Sequence, residues 1–328
     1  MRDFTVNKNQ DGLHVVKASQ EAFPQLKSAD LFHALKRRDI RIDGKKINKD
    51  IAVKAGSTVE IWLPDELFDV KKGTRDSRVK PGQKMYEIVA ETKGLLIVNK
   101  SQGIAVHSGK SDIEDTLIDL IRSETRYREA ELCHRIDMNT GGLVLIAKNK
   151  TALADCVELF KNDLVTKRYR ALVLGKPDEG EPAAGEDGTL YKEVKGYLEK
   201  TKQGKVYIHD EKQPGDLDIS TKYRILKTFN GAGPDGESVS DIELELVTGR
   251  THQIRAQFAH LGHPVIGDGN YGRNKVNMHF ETVDGKKVRY QQLFSCQIMF
   301  GRIPKNNIHV DVSGKTYKIG PDYNVRLT

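Results

Sequence analysis

Residues 132–147, Leu-Cys-His-Arg-Ile-Asp-Met-Asn-Thr-Gly-Gly-Leu-Val-Leu-Ile-Ala, constrain the fold more than any other stretch of the chain. A polar group, His134, Arg135, Asp137, Asn139 and Thr140, runs into Gly141 and Gly142. An apolar run over 143–147 follows, and Lys148 closes it. That run is short, branched and bounded by glycine, which predicts a buried strand. The glycines permit a tight turn, or a close approach of backbone to a ligand. Asp137 then stands on a loop held by a rigid strand, a common place for catalytic groups. The same residues also suit a turn in which Asp and Asn bond only their own backbone. On chemistry alone the two readings stand level.

The 328 residues can bury a sizeable core and suggest two domains, one of them small. Hydrophobic residues at 38% and charged residues at 30% describe an ordinary soluble protein, and a net charge of +7 favours a polyanionic partner. Cys133, Cys156 and Cys296 are scattered, with no C-x-x-C pair. That pattern argues against zinc and against a disulfide framework, and fits a reducing compartment. The N-terminus lacks the apolar region of a signal peptide, and no apolar run is long enough to span a bilayer. A cytoplasmic protein with no membrane partner is expected.

Residues 1–65 read as a first unit. Ser28 can cap a short helix over 29–37, with Leu31, Phe32 and Leu35 as its apolar side. Ile40-Arg41-Ile42, Asp43-Gly44 and Lys45-Lys46-Ile47 spell a hairpin, because Asp-Gly between alternating segments favours a tight primed turn. Residues 57–63 alternate as a strand that Pro64 ends. Between positions 36 and 49 stand seven basic residues, Lys36, Arg37, Arg38, Arg41, Lys45, Lys46 and Lys49, against two acids. A helix end and a hairpin would present this patch to phosphates, or simply to solvent. Residues 66–84 are basic, with glycine and proline and few apolar residues, and read as a linker.

Beyond residue 85 the patterns become dense. Residues 86–89 and 95–98 read as strands around Lys93-Gly94, followed by the loop Asn99-Lys100-Ser101-Gln102-Gly103. Ser111 and Glu114 form a capping box ahead of Ile113, Leu117, Leu120 and Ile121. Asn149 opens a helix carrying Ala152, Leu153, Cys156, Leu159 and Phe160, and residues 165–173 form a strand containing Lys-Arg-Tyr-Arg-Ala. Residues 175–216 read as loops around one hairpin, then 223–226 and 242–246 as strands. Thr248-Gly249-Arg250-Thr251-His252-Gln253-Ile254-Arg255 leads into a helix on which Ile254, Phe258 and Leu261 share a face and Gly262 is the stop. Residues 296–300 and 308–312 read as closing strands.

Several of these stretches resemble the RNA pseudouridine synthases, in the branch that modifies ribosomal and some transfer RNAs. Residues 134–143 are similar to that family's His-Arg-Leu-Asp-x-x-Thr-Ser-Gly-Leu signature, with Ile136 for leucine and Gly141 for serine. Lys167-Arg168-Tyr169-Arg170-Ala171 resembles its Lys-x-Tyr-x-Ala motif, and residues 248–272 match its third motif closely. Asn-Lys-Pro-x-Gly is usual where this chain has Ser101, and Leu-His-Ala where it has Leu293-Phe294-Ser295. The resemblance covers about residues 86–315. Residues 13–64 are similar to the small RNA-binding domain first described in ribosomal small-subunit protein S-four, which often precedes this catalytic domain.

The resemblance implies a mixed, mostly antiparallel sheet with flanking helices, over 85–328, preceded by a small N-terminal α/β RNA-binding domain. It implies isomerisation of uridine to pseudouridine without metal or organic cofactor. The partner would be RNA, large-subunit ribosomal RNA by default and transfer RNA in second place, acted on by a monomer. Breaking the glycosidic bond develops positive charge on the sugar, so a carboxylate is needed there, and the resemblance gives that role to Asp137. Arg255 would pair with it, and Tyr169 would stack on the uracil or act as a base. Leu293 would line the pocket and Arg135 would fill the gap left by the extruded nucleotide. His134, Thr140, Arg250 and His252 would contact RNA, as would Lys36, Arg37, Arg38, Arg41, Lys45 and Lys46. A glycoside hydrolase would need a second carboxylate to activate water. The matched motifs offer none, which favours isomerisation over a base-excising hydrolase. A non-catalytic RNA-binding assembly factor on the same fold is the other alternative.

Overall fold

The computed structural model describes residues 2–23, 26, 28–63, 84–107, 116–201 and 205–327, and the chain divides into two compact units between Thr74 and Arg75. Residues 66–83 of the expected linker, the Ser111/Glu114 capping box and Ile113 lie outside the described residues.

The first unit contains β1 (Arg2–Thr5), α1 (Val15–Ala22), α2 (Ser28–Arg37), β2 (Ile40–Ile42), β3 (Lys45–Ile47) and β4 (Thr58–Ile61). Its sheet runs β1-β4-β2-β3, antiparallel throughout. The Asp-Gly hairpin is present: Asp43 and Gly44 both have positive φ, 49° and 75°, and Ile42 pairs with Lys45. Two details of α2 differ from the sequence reading. Ser28 is its first helical residue, and Phe32 is exposed while Leu31, Ala34 and Leu35 fill the core. Phe32 lies one position from Leu31 and three from Leu35, so the 3.6-residue turn carries it past the buried stripe. Leu31 and Leu35 pack with Val15, Val16 and Ala18 of α1 and with Ile40, Val59 and Ile61 of the sheet.

The second unit contains β5 (Tyr86–Glu91), β6 (Leu95–Lys100), α3 (Leu117–Glu124), β7 (Glu131–Leu132), β8 (Gly141–Ala147), α4 (Lys150–Lys161), β9 (Val165–Leu174), β10 (Glu181–Ala184), β11 (Leu190–Lys200), β12 (Val206–His209), β13 (Leu217–Phe229), β14 (Val239–Leu246), α5 (Gln253–His260), α6 (Asn274–His279), β15 (Leu293–Phe300) and β16 (Thr316–Lys318). Its sheet runs β10-β11-β13-β14-β9-β15-β8-β6-β5, with β12, β16 and β7 on the side. It is mixed and mostly antiparallel, with the parallel β15–β8 pair at its centre.

That junction explains the two glycines. Both lie inside β8 rather than in a turn before it. Gly142 has φ 108°, and a Cβ there would stand 2.2 Å from the Ser295 carbonyl oxygen of β15. The close approach is to a neighbouring strand, which only a residue without a side chain allows. Beyond it β8 is buried on both faces. Val144 and Ile146 pack with Leu117 and Ile121 of α3, whose N-cap is Thr116; Leu143 and Leu145 pack with Ala152, Cys156 and Leu159 of α4, which Asn149 caps as expected.

Residues 308–312 do not form a strand. Residues 310–312 make a single 3-10 turn, and the closing strand is β16. The amide of His309 bonds to Asn307 and that of Ile308 to Asp155, so local polar side chains take the amides a strand would have used. No helix among the described residues is long and apolar enough to cross a membrane.

Candidate active site

The turn over 137–140, closed by the Thr140 amide on the Asp137 carbonyl at 3.0 Å, precedes β8 and holds Asp137 at the sheet junction. Beneath the turn Lys100, at the end of β6, is buried. Its ammonium donates to the carbonyls of Ser101, Ile104 and Met138 at 2.8, 3.0 and 3.0 Å. Three donors meet three acceptors, and one acceptor belongs to the residue after Asp137. Ser101 donates its amide to the Met85 carbonyl and its hydroxyl to Lys84; a proline there could make neither bond.

Helix α5 brings the counter-charge. Arg255 Nη1 lies 2.8 Å from Asp137 Oδ2. Its Nε and Nη2 grip the fully buried Asp268 at 2.7 and 3.0 Å, and the Tyr271 ring lies 5.2 Å beneath the guanidinium. Asp268 is fixed in turn by the amides of Asn270 and Tyr271. The arginine is thereby aimed from behind before it meets Asp137, which keeps part of its surface open. The adjacent His252 starts α5 in a left-handed conformation, φ 55°, with Nδ1 2.8 Å from the Tyr271 hydroxyl and Nε2 3.8 Å from Asp137 Oδ1. Burial, opposed by the charge of Asp137, pushes its imidazole below the ordinary value.

These groups open into a pocket whose walls include Asp137, Thr140, Tyr169, Arg250, Arg255 and Leu293. Tyr169 projects from β9 and is buried. Burial first, and the negative charge of Asp137 second, raise its phenol above the ordinary value. Leu293 is buried at the start of β15, and Thr140 accepts a hydrogen bond from Gln291 at 3.1 Å. Arg135 and Arg250 are exposed at the pocket, with no ion pair among the described residues.

The structure therefore brings Asp137, Tyr169, Arg255, Arg135, Thr140, Arg250, His252 and Leu293 to one cavity. It does not bring His134 there. His134 Nε2 accepts the Leu145 amide at 3.0 Å and its ring packs on Phe160, so it ties the loop to β8. Lys36, Arg37, Arg38, Arg41, Lys45 and Lys46 belong to the first unit. All are exposed except Arg41, whose guanidinium lies 4.9 Å from the exposed Trp62 ring; Arg37 is paired with Asp39.

Sequence reasoning missed Asp268, Lys100 and Lys167, another lining residue, although each falls inside a quoted motif. The signal was a charged residue beside an apolar run. What it lacked was the knowledge of which acid would meet which base.

Two of the departures from the family pattern prove to be neighbours. Phe294 and Gly141 are paired across the parallel junction, and a Cβ on Gly141 would stand 2.7 Å from the Phe294 ring. The ring fills the space that the missing side chain leaves, edge-on to Tyr323.

The model of the RNA pseudouridylate synthase family matches residues 94–260, half of the chain. A ribosomal large subunit pseudouridine synthase C of Vibrio cholerae is 31% identical, over 76% of this chain and 73% of the relative. Ribosomal large subunit pseudouridine synthases D of Yersinia pestis and Escherichia coli are 29% and 28% identical, each over 82% of this chain and 75% of the relative. In fold, the chain is similar to human RNA Pseudouridylate Synthase Domain Containing 1, with a TM-score of 0.51 and 24% identity over 74% of this chain and 93% of that one.

Proposed function

Since the chain belongs to the RNA pseudouridylate synthase family, a family of isomerases, we propose that it converts uridines of large-subunit ribosomal RNA to pseudouridine with Asp137 as the catalytic carboxylate. The observation that carries the reading is a partly exposed carboxylate at 2.8 Å from an arginine that a second, buried aspartate holds in place, at the wall of a cavity shared with Tyr169. The names of the relatives supply the ribosomal substrate.

The reaction breaks the bond from N1 to C1′, turns the uracil, forms the bond from C5 to C1′, and moves the C5 proton to solvent while N1 regains one. Cleavage leaves positive character on the sugar, which a nearby carboxylate stabilises. Attack on C1′ and removal of the C2′ proton both need the same ionised group in the same place. Arg255 orients that group and favours its charge. Tyr169 offers its ring to the uracil. Its raised value favours the phenol, so the stacking role comes ahead of the role of base. Leu293, Ile254 and Ile136 complete an apolar wall that limits water around the detached sugar. Arg135, exposed beside Asp137, takes the place of the extruded nucleotide. The basic hairpin of the first unit adds phosphate contacts, in keeping with its likeness to the S-four domain.

The test is tritium release from a transcript of large-subunit ribosomal RNA labelled at uracil C5. The wild-type chain should release tritium, and a folded Asp137→Ala chain should release none while still binding the transcript. Continued release by Asp137→Ala would refute the assignment. Free uracil in the products would point to excision instead.

A further inference from the structure

The chemistry above gives Lys167, a cation in the pocket wall, no task. Lys167 lines the cavity two residues before Tyr169 on β9, so both side chains leave the strand on the same face, about 6.6 Å apart. The register orders the pocket along this strand. Leu293 stands beside Ala171 at one end; at the other, Glu245 faces Arg168, so Leu246 and the exposed segment Gly249-Arg250 follow towards Lys167. Tyr169 thus lies between the buried Leu293 end and a more open end that holds Lys167.

The ammonium is half-buried and has no carboxylate partner among the described residues. Its ammonium lies 5.1 Å from the Phe160 ring, and its charge reaches the His134 imidazole. Burial alone pushes it down to about 8, with no acid pulling it back. A cation withdrawn from water without an anion is a cost that a ligand's charge can offset. Arg135 and Arg250, at the same pocket, also lack ion pairs among the described residues, whereas the next residue on the strand, Arg168, holds two carboxylates.

Resting on the pseudouridine synthase reading of this pocket, we propose that Lys167 is a phosphate-binding residue that fixes the RNA backbone beside the extruded uridine while Tyr169 takes the base. The spacing suits that division, since two residues of strand separate the groups by a distance comparable to that from a base to its own backbone phosphate. Lys167 contributes to binding and positioning, and Asp137 keeps the chemistry.

The experiment uses the full chain and the C5-tritiated large-subunit transcript. Equilibrium binding is measured over a salt series, and turnover at one salt concentration. Lys167→Met keeps the length of the side chain and removes the charge. It should raise KM roughly five- to tenfold, change kcat far less, and flatten the plot of log affinity against log salt by about 0.7–0.9. Lys167→Arg should restore the wild-type slope. Binding at pH 7 and pH 9.5 adds a measurement that needs no charge-removing variant. The wild-type chain should lose about one contact's worth of slope at the higher pH, and Lys167→Arg should not. Groups around Lys167 are His134 and Arg135 ahead of Asp137, Tyr169 on its own strand and Arg250 after β14; both chains share them, so their titration cancels in the comparison. An unchanged salt slope in Lys167→Met, or a fall in kcat with KM intact, would overturn the proposal. Binding reads it independently of turnover, so a wild-type chain that binds yet releases no tritium would count against the proposed function alone.

Discussion

On one face of β9, Arg168 and Arg170 are locked to carboxylates. Arg168 donates to Glu245 at 2.8 Å and to both oxygens of Asp187 at 2.7 and 2.8 Å; Arg170 pairs with Asp241, which also accepts from the Tyr323 hydroxyl. Glu243 joins the same face, held by Arg224 and Tyr191. On the other face, Lys167 and Tyr169 line the cavity, and the lysine has no anion among the described residues. Alternation along a single strand has therefore separated charge used to close the sheet from charge left open for a ligand. Arg255 stands between the two cases, with Asp268 as a permanent partner and Asp137 as a working one.

The largest expected effects break this contrast at Arg255 and Arg168. Arg255→Gln should lower turnover by roughly 10²-fold or more and also destabilise the fold by about 3–5 kcal/mol, because Asp268 is left buried without its cation. Arg168→Met should cost about 3 kcal/mol through the stranded Glu245, with Asp187 contributing less because it is half exposed. Yet its KM and kcat should match the wild type wherever the protein is folded. Urea denaturation and tritium release read the two quantities separately. If Arg168→Met lost activity without losing stability, the far face would not be merely structural.

A smaller effect is expected where the halves of the sheet meet. Gly141→Ser should clash with the Phe294 ring, and Phe294→His alone should leave space against Tyr323. Each change should destabilise by about 1–3 kcal/mol, and the double variant by less than the sum. Strict additivity would show Gly141 and Phe294 to be independent.

That pair also marks how far the sequence could be read. The buried strand, the Asp-Gly hairpin, the Asn149-capped helix and the α5 helix each carry a local signal, so residues 143–147, 40–47, 150–161 and 253–260 were legible from pattern alone. β1 and α1 were not. β1 is a short run of mostly polar residues, and α1 begins after His14, which makes no side-chain cap. Within the site, motif resemblance brought Asp137, Tyr169 and Arg255 forward together. No local rule could say that Asp268 would stand behind Arg255, thirteen residues on, or that the glycines of β8 answer to Ser295 and Phe294 across the junction. His134 shows the opposite failure, since a polar residue beside the key aspartate proves to face a backbone amide.

The weakest of these effects distinguishes paired from unpaired cations by pH. Burial pushes Lys100 down to about 7, with the charge of Asp137 pulling the other way, and Lys167 down to about 8. Both lie below the 10.4 or so of an unfolded lysine. Between those values the unfolded chain binds protons that the folded chain does not, so these lysines make stability rise with pH from about 7 towards 10. The deficit is fully present below pH 7. Above about 10 the buried tyrosines act in reverse, because Tyr169 and Tyr223 keep their protons in the fold when the unfolded chain has lost them. Urea denaturation at pH 7, 8 and 9 should therefore show a rising midpoint in the wild type. In Lys100→Met the rise should be shallower, by up to about 1.4 kcal/mol per pH unit, even though the variant is less stable throughout for want of donors to three carbonyls. Arg168→Met should leave the slope untouched, because its guanidinium keeps its proton in both states. Equal slopes in wild type and Lys100→Met would mean that the carbonyl cage holds the lysine charged across the whole range, and that its burial carries no proton-linked cost.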